Sequence, residues 1–249
     1  MENKLKLNDD KSEFIIFGSR HALSKVTTCQ IRVGQLLIPK SSSVQNIGAT
    51  FDCTLRNTDQ VNKVCKSAWF RLYRIGKIRK YLSVNQAKTV IHTLVTSTID
   101  CNNGLLLGAP QSLIAKLQLV QNAAARLITH SKKSDHVTPL LCSLHWLPIS
   151  KRIIFKVLLL VYKSLHGEGP RYLLDLLSRN CPTRPLRSSN DSSRLVIPRS
   201  RLVTYGDRAF SIQAPRLWNM LPVSIRNANS TGSFKSQLKT HLFKEYHYV

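Results

Sequence analysis

Acidic side chains, closely spaced cysteines and long apolar runs are all scarce in this chain of 249 residues. Asp and Glu number 13 against 37 Lys and Arg, which gives a formal net charge of +24. The densest apolar run, Val157–Val161, is far shorter than the ~20 residues of a membrane span, and the polar N-terminal residues carry no secretory signal. Six dispersed cysteines without a Cys-x-x-Cys pair argue against a disulfide scaffold and a zinc ribbon. We therefore expect a reducing compartment, nuclear or cytoplasmic, and no membrane partner.

The sequence motifs of phosphate-binding loops and of catalytic nucleophile turns are also missing. The sequence has no Gly-x-Gly-x-x-Gly or Gly-Lys-Ser/Thr loop for phosphates and no Gly-x-Ser-x-Gly nucleophile elbow. Two-metal catalysis needs converging carboxylates, and the best group of this kind is Asp9 and Asp10 with Glu13 nearby. Adjacent side chains usually point apart, so we interpret this group as a solvated turn.

One short stretch holds four residues of zinc-binding type, His130, His136, Cys142 and His145. Their spacing is irregular, and no tightly spaced pair leads the group as in the usual structural zinc sites. We interpret these residues as structural. The sequence therefore predicts no metal and no cofactor.

The positive charge is concentrated in the middle of the chain. No acidic residue occurs between Asp59 and Asp100, whereas eight cations do: Lys63, Lys66, Arg71, Arg74, Lys77, Arg79, Lys80 and Lys88. With 43% hydrophobic residues the chain is expected to fold rather than to remain a disordered polycation. An isoelectric point near 10.3 on a folding chain indicates a polyanionic partner, because bound phosphates release their counterions.

The apolar pattern predicts an α+β fold. Short strands are expected at 13–17, in a hairpin over 29–39, and at 44–51, where Gly48 indicates a bulge or a close backbone approach. Together they would form a small antiparallel sheet. Helical periodicity then predicts helices over about 59–80, 83–95, 110–128 and 150–165, and shorter ones at 214–220 and 233–246. Ser83 and Gln86 have the spacing of a capping box. A stretch rich in Ser, Arg and Pro at 178–205 is interpreted as a basic loop.

A series of short motifs occurs in a fixed order along nearly the whole chain. They include Leu7-Asn-Asp-Asp-Lys-Ser-Glu13, Val44-Gln-Asn-Ile-Gly48, Leu117-Gln-Leu-Val-Gln-Asn-Ala-Ala-Ala-Arg126, Leu144-His-Trp-Leu-Pro148, Gly206-Asp-Arg-Ala-Phe210 and Ala214-Pro-Arg-Leu-Trp-Asn-Met-Leu-Pro222. In content and order they resemble the C-terminal part of the reverse transcriptase of LINE-type non-LTR retrotransposons of the CR1/L2/Rex1 or jockey-like group. One departure is Asp100-Cys-Asn-Asn-Gly104, where that family tends to have Asp-Tyr-Cys-Asn-Ser.

The resemblance implies three regions. Residues 1–55 would be a palm remnant with post-catalytic strands and a primer-grip-like hairpin at Ile47 and Gly48. Residues 56–130 would be a basic helical thumb, and 131–249 a mostly helical C-terminal region. Lys11 corresponds to a lysine that the family places near the incoming nucleotide.

The family's metal-binding aspartates lie N-terminal to the matching region, so the resemblance implies a non-catalytic part of an RNA-directed DNA polymerase. No catalytic residue and no enzyme activity are predicted for this chain. The implied partners are RNA or DNA as template–primer, and the polymerase segment that precedes this region in the parent family.

We predict a sequence-independent grip on phosphates by one face of the helix over 59–80. The predicted phosphate-binding residues are Lys63, Lys66, Arg71, Arg74, Lys77, Arg79 and Lys80. Trp69 lies on the apolar stripe and is expected in the core, whereas nearby aromatics could stack on bases.

Two alternatives stay open. The chain could be a protein–protein interaction module that docks through the helix over 150–165 and the Trp146 and Trp218 segments. It could also be a functionless relic of a retroelement.

Overall fold

The computed structural model describes residues 11–34, 36–180, 193–202 and 205–247. The fold is mixed α+β and 58% helical, which confirms the predicted α+β class. In place of the one small sheet that the sequence predicts, there are two separate antiparallel sheets of two strands each. The chain divides into two compact units, one up to Lys66 and one from Ser67 onward. The domain boundaries expected after residues 55 and 130 remain predictions.

The first unit holds both sheets. After the short helix α1 (Arg20–Ser24) come the strands β1 (Gln30–Val33), β2 (Leu36–Pro39), β3 (Ser43–Asn46) and β4 (Ala49–Asp52). β1 pairs with β2, which confirms the predicted hairpin over 29–39, and β3 pairs with β4. The expected strand at 13–17 is reduced to a single bridge between Phe14 and Lys40.

The single strand that the apolar pattern predicts over 44–51 is wrong, because the chain reverses direction there, as the hairpin implied by the motif resemblance requires. Asn46 pairs with Ala49, so only Ile47 and Gly48 form the turn. Both residues have positive φ, +45° and +77°, as a two-residue type I′ hairpin requires. The pattern was ambiguous since Ile is an unusual residue at such a position, which Asn or Gly normally occupies.

Asp52 connects the second hairpin to the first long helix, α2 (Thr58–Ile78). Its carboxylate accepts hydrogen bonds from the backbone N–H groups of Thr54, Arg56 and Thr58 at 3.0–3.2 Å and from the Thr54 hydroxyl at 2.7 Å. Burial raises the pKa of Asp52, but these hydrogen bonds outweigh it and the net pKa is lowered. The ionised carboxylate therefore stabilises the start of the helix.

The second unit is helical. A 3₁₀ turn at Arg79–Tyr81 follows α2, and the remaining helices are α3 (Val84–Ile91), α4 (Ser97–Asp100), α5 (Gln111–Thr129), α6 (Val137–Ser143), α7 (Ile149–Leu165), α8 (Arg171–Leu174), α9 (Phe210–Met220), α10 (Val223–Arg226) and α11 (Thr231–His247). A single π-helical turn, His92–Thr96, joins α3 to α4, and a 3₁₀ turn spans Asn103–Leu106. The capping box of Ser83 and Gln86 is confirmed at the start of α3.

The main core of the second unit forms around α7, α9 and α11. The Tyr162 and Phe234 rings stack with centroids 4.2 Å apart, and Trp218 packs against Phe234 at 5.9 Å. The Tyr162 hydroxyl donates to the Ala228 carbonyl at 2.7 Å, so its one polar atom is satisfied. Trp218 is 1% exposed. These contacts fix α7, which carries Arg152 and Lys156, and α11, which carries Lys239.

The described part of the predicted basic loop, 178–180, 193–202 and 205, contributes one isolated bridge between Arg179 and Leu195. The rest of that loop, 181–192 and 203–204, lies outside the described residues, as do Asp9 and Asp10. None of the helices in the described ranges is both long and apolar enough to cross a membrane.

Candidate nucleic-acid interface

The spacing of the apolar residues in helix α2 determines which of its cations are exposed. Val61, Ala68, Leu72 and Ile75 lie on one stripe and are at most 4% exposed. The burial of that stripe fixes the rotation of the helix about its axis, so that the residues between its members face outward. Most of the predicted phosphate-binding residues are on this outward side.

Three cations of the second unit each lie over an exposed aromatic ring. The Arg74 guanidinium is 5.6 Å from the centroid of Phe70, and the Lys77 ammonium is 4.7 Å from that of Tyr73. The Lys80 ammonium is 4.9 Å from that of Tyr81, its neighbour in the 3₁₀ turn. We refer to Phe70, Tyr73, Arg74, Lys77, Lys80 and Tyr81 together as the aromatic–cation patch.

The rings of the patch are largely open to solvent. Phe70 is 60% exposed, Tyr73 is 64% exposed and Tyr81 is 75% exposed. A cation over a ring gains modest electrostatic attraction and is held near the ring face. The patch therefore presents ordered positive charge beside accessible π surfaces, the two features with which single strands are bound.

Carboxylates do not neutralise the patch from its own part of the chain. The sequence from residue 60 to residue 99 contains no Asp or Glu. Among the described residues, each of the three ion pairs lies elsewhere: Lys151–Glu245, Arg152–Asp100 and Arg216–Asp207. The local electrostatic field of the patch is therefore positive, which favours binding of a polyanion over binding of a partner whose surface is neutral or of mixed charge.

The structure contradicts the placement of Arg79 among the phosphate-binding residues. Arg79 is 4% exposed. Its Nε donates to the Leu127 carbonyl at 2.8 Å and its Nη2 to the Ile128 carbonyl at 2.7 Å. Its Nη1 donates to the Leu82 carbonyl at 2.6 Å. The guanidinium thus caps the last turn of α5, where carbonyls lack helical partners, and is not accessible to a phosphate.

Arg71 is also held by hydrogen bonds within the protein, although it is less buried than Arg79. It is half-buried, and its Nη1 donates to the Leu94 carbonyl and to the Thr98 hydroxyl. These contacts join α2 to the π-helical turn and to α4. We therefore assign Arg71 a structural role, in contrast to its predicted one.

Lys63 and Lys66 are exposed, as expected, on the part of α2 that belongs to the first unit. Trp69 departs from the expected core position, because it is 46% exposed and lies beside the patch residue Phe70. The sequence signal for the missed residue Phe70 is its four-residue spacing from Arg74. Tyr73 and Lys77 have the same spacing, which brings side chains together on a helix.

The primer-grip-like residues lie at the tip of the second hairpin in the first unit. Ile47 is 92% exposed, and an added Cβ at Gly48 would meet nothing within 4 Å. Lys11 is exposed and lines a shallow cavity of about 470 Å³ with Glu13, whose carboxylate accepts from the Gln45 N–H at 3.0 Å. Lys11 therefore lines the same cavity as the Glu13 carboxylate, which this hydrogen bond holds in place.

The described residues include no group of three or more His, Cys, Asp and Glu side chains placed to hold a metal ion. His130 and His145, two members of the candidate zinc group, instead occupy left-handed positions at helix C-termini, with φ of +55° and +53°. No protein-family model, curated protein or solved structure matches the chain.

Proposed function

We propose that the protein binds template–primer nucleic acid without sequence specificity through the aromatic–cation patch. The observation that carries this proposal is the alternation of exposed rings and cations on α2 and the following 3₁₀ turn. Cations attract the phosphate backbone, and each exposed ring offers a stacking surface that any base can use. No hydrogen-bonding pattern specific for one base is needed for this kind of contact.

The motif resemblance supports the finer form of the proposal. In that form the first unit is the palm remnant of a LINE-type reverse transcriptase, and the region around α2 to α5 is its thumb. The chain would act in an RNA-directed DNA polymerase without contributing catalytic residues of its own. The Ile47–Gly48 turn would approach the primer end, since its tip is both narrow and exposed.

The interaction-module alternative loses the surfaces on which it was predicted. Residues Val157, Leu158, Val161 and Tyr162 of α7 are buried in the core, as is Trp218. Trp146 is half-buried beneath Arg152. These core residues are therefore not available to a protein partner, and the positive field of the patch favours nucleic acid at the patch.

Salt-dependent binding of an RNA–DNA template–primer and of a single-stranded oligonucleotide tests the proposal. We expect a variant with R74E, K77E and K80E to bind more weakly and to show a flatter dependence of log affinity on log salt. Each lost phosphate contact reduces that slope by roughly 0.7 on a single strand and roughly 0.9 on a duplex, so three lost contacts remove about 2 or more.

A variant with K133E, K235E and K244E is the matched control, because it changes the net charge equally at exposed lysines away from the patch. Its slope should remain close to that of the unaltered protein. Equal slopes for the two triple variants would show that only net charge matters and would refute an interface at the patch. Replacing Tyr73 by Leu should reduce affinity for single strands while leaving the salt slope unchanged, since stacking releases no counterion.

A further inference from the structure

A second concave site lies in the helical unit, away from the patch residues. Its volume is about 550 Å³, within the range of small-molecule sites. It is bordered by the 3₁₀ turn after α4, the segment between α6 and α7, α7 itself and α11. The lining includes Asn103, His145, Trp146, Phe155, Lys156 and Lys239.

One wall of the cavity is fixed by Arg152. Its Nη1 is paired with the Asp100 carboxylate at 2.5 Å, and its Nε donates to the Leu147 carbonyl at 3.0 Å. Its guanidinium carbon is 5.9 Å from the centroid of the Trp146 ring. Because three contacts restrain it, Arg152 holds Trp146 and Asp100 in place at the cavity.

Asn103 supplies an unsatisfied acceptor in the same lining. The residue is 4% exposed, and its Oδ1 has no hydrogen-bond partner. Its Nδ2 donates to the Asp100 carboxylate at 3.3 Å, which determines that the amide presents its oxygen, and not its nitrogen, on the other side. A buried carbonyl oxygen without a partner is costly, so this position favours a ligand that carries an N–H donor.

The mouth of the cavity carries positive charge. Lys156 lies one turn beyond Arg152 on α7, and Lys239 is exposed on α11. With Arg152 paired to Asp100, these two lysines are the cations of the lining that have no ion pair among the described residues. They favour an anionic group close to the site of the N–H donor.

His145 also belongs to the lining, and its ring lies 6.2 Å from that of Phe243. It follows α6 in a Schellman arrangement, with the His145 N–H donating to the Cys142 carbonyl and the Trp146 N–H to the Leu141 carbonyl, both at 2.9 Å. Its φ is +53°, at a position usually taken by Gly. The turn places the His145 side chain at the cavity.

We propose that this cavity binds one nucleotide unit of single-stranded nucleic acid whose base carries an exocyclic amino group. The amino group donates to Asn103 Oδ1, the base packs against Trp146 and Phe155, and the phosphate lies near Lys156 and Lys239. The proposal does not depend on the aromatic–cation patch, because no residue is shared between the two sites.

Binding of cytidine 5′-monophosphate and uridine 5′-monophosphate to the full chain at low salt is the direct test. The two probes differ at the group that would face Asn103, since cytosine has an amino group where uracil has a carbonyl. We expect the cytidine nucleotide to bind about three- to tenfold more tightly, the value of one hydrogen bond, and to quench the fluorescence of Trp146. Equal affinities, or inorganic phosphate binding as tightly as the cytidine nucleotide, would overturn the proposal.

Two lysine variants distinguish this site from a general attraction of anions. K239Q should weaken the cytidine nucleotide severalfold, whereas K235Q, one turn away on α11 and outside the lining, should have no effect. Identical behaviour of the two variants would count against the site. The R74E, K77E and K80E variant should retain nucleotide binding, so failure of the patch and failure of this cavity give different results.

Discussion

At the scale of single residues, Ile47 is the side chain that folding explains least well. It is β-branched, has a φ of +45° and is 92% exposed. A left-handed conformation costs an L-residue roughly 1–2 kcal/mol, and the exposed side chain recovers little of this through burial. Both properties follow if the hairpin tip serves as an apolar contact for a ligand, as the proposed approach to the primer end requires.

I47N should therefore stabilise the β3–β4 hairpin and weaken binding of the primer end. Asn tolerates the left-handed region and completes the Asn-Gly pair preferred in type I′ turns, so we expect about 1 kcal/mol of added stability. Hydrogen exchange of the hairpin amides measures the first effect, and affinity for a recessed template–primer measures the second. I47V keeps the strain and most of the apolar surface, and should change neither. Unchanged primer-end affinity in I47N would contradict the proposed contact.

The buried position of Arg79 could not be predicted from its residue type. The charge pattern placed it with Arg74 and Lys77, but the end of α2 falls at Ile78 and a 3₁₀ turn changes the direction of the next side chain. Its guanidinium then meets the carbonyls of Leu127 and Ile128, which are 48 and 49 residues away in sequence. A periodic pattern cannot reveal a contact of that separation.

At the scale of elements, α2 was predictable because its apolar stripe is long and regular. The expected range 59–80 differs from the observed Thr58–Ile78 by one or two residues at each end. The strands were predicted less well, since a turn at Ile47 and Gly48 has no local signal except the glycine. The exposure of Trp69 was also missed, because the stripe that contains it is wider than the face that is buried.

Substitution of Gly76 tests whether the stability of α2 limits the binding of nucleic acid by the patch. Gly76 lies inside the helix, is exposed, and an added Cβ there would meet nothing within 4 Å. G76A should stabilise the protein by about 1 kcal/mol, because Gly is that much less favourable than Ala in a helix interior. The measurement is the urea midpoint followed by far-UV circular dichroism.

Gly167 is the matched control for G76A, since an added Cβ there also meets no atom within 4 Å. Its φ of +74° makes Ala unfavourable, so G167A should destabilise by roughly 1–2 kcal/mol. Stabilisation by both substitutions, or by neither, would contradict the helix-interior assignment of Gly76. Nucleic-acid affinity should remain the same or rise in G76A, because the patch residues on either side are retained.

At the scale of the whole molecule, charge of one sign is the dominant physical property. A net charge of +24 on 249 residues opposes compaction, and the stretch from 60 to 99 adds cations without any carboxylate. Repulsion among these positive charges destabilises the folded chain, and a bound polyanion would reduce that repulsion. Stability and binding should consequently respond to salt in opposite directions.

We expect the melting temperature to rise by several degrees as sodium chloride increases from about 20 mM to about 300 mM, which shortens the Debye length from roughly 20 Å to roughly 6 Å. A variant with K63Q, K66Q, K77Q and K80Q removes two pairs of charges, the members of each pair three residues apart in sequence, and should lose a large part of this rise. A variant with K25Q, K133Q, K235Q and K244Q removes four dispersed charges and should lose less, because distant charges interact weakly. At low salt a single-stranded oligonucleotide should raise the melting temperature of the dispersed variant more than that of the clustered one, since only the former retains Lys77 and Lys80, two of the three patch cations through which binding is proposed. Equal salt responses of the two variants would mean that the repulsion is spread over the whole surface, and the concentration of charge along α2 would then have no special consequence for folding or binding.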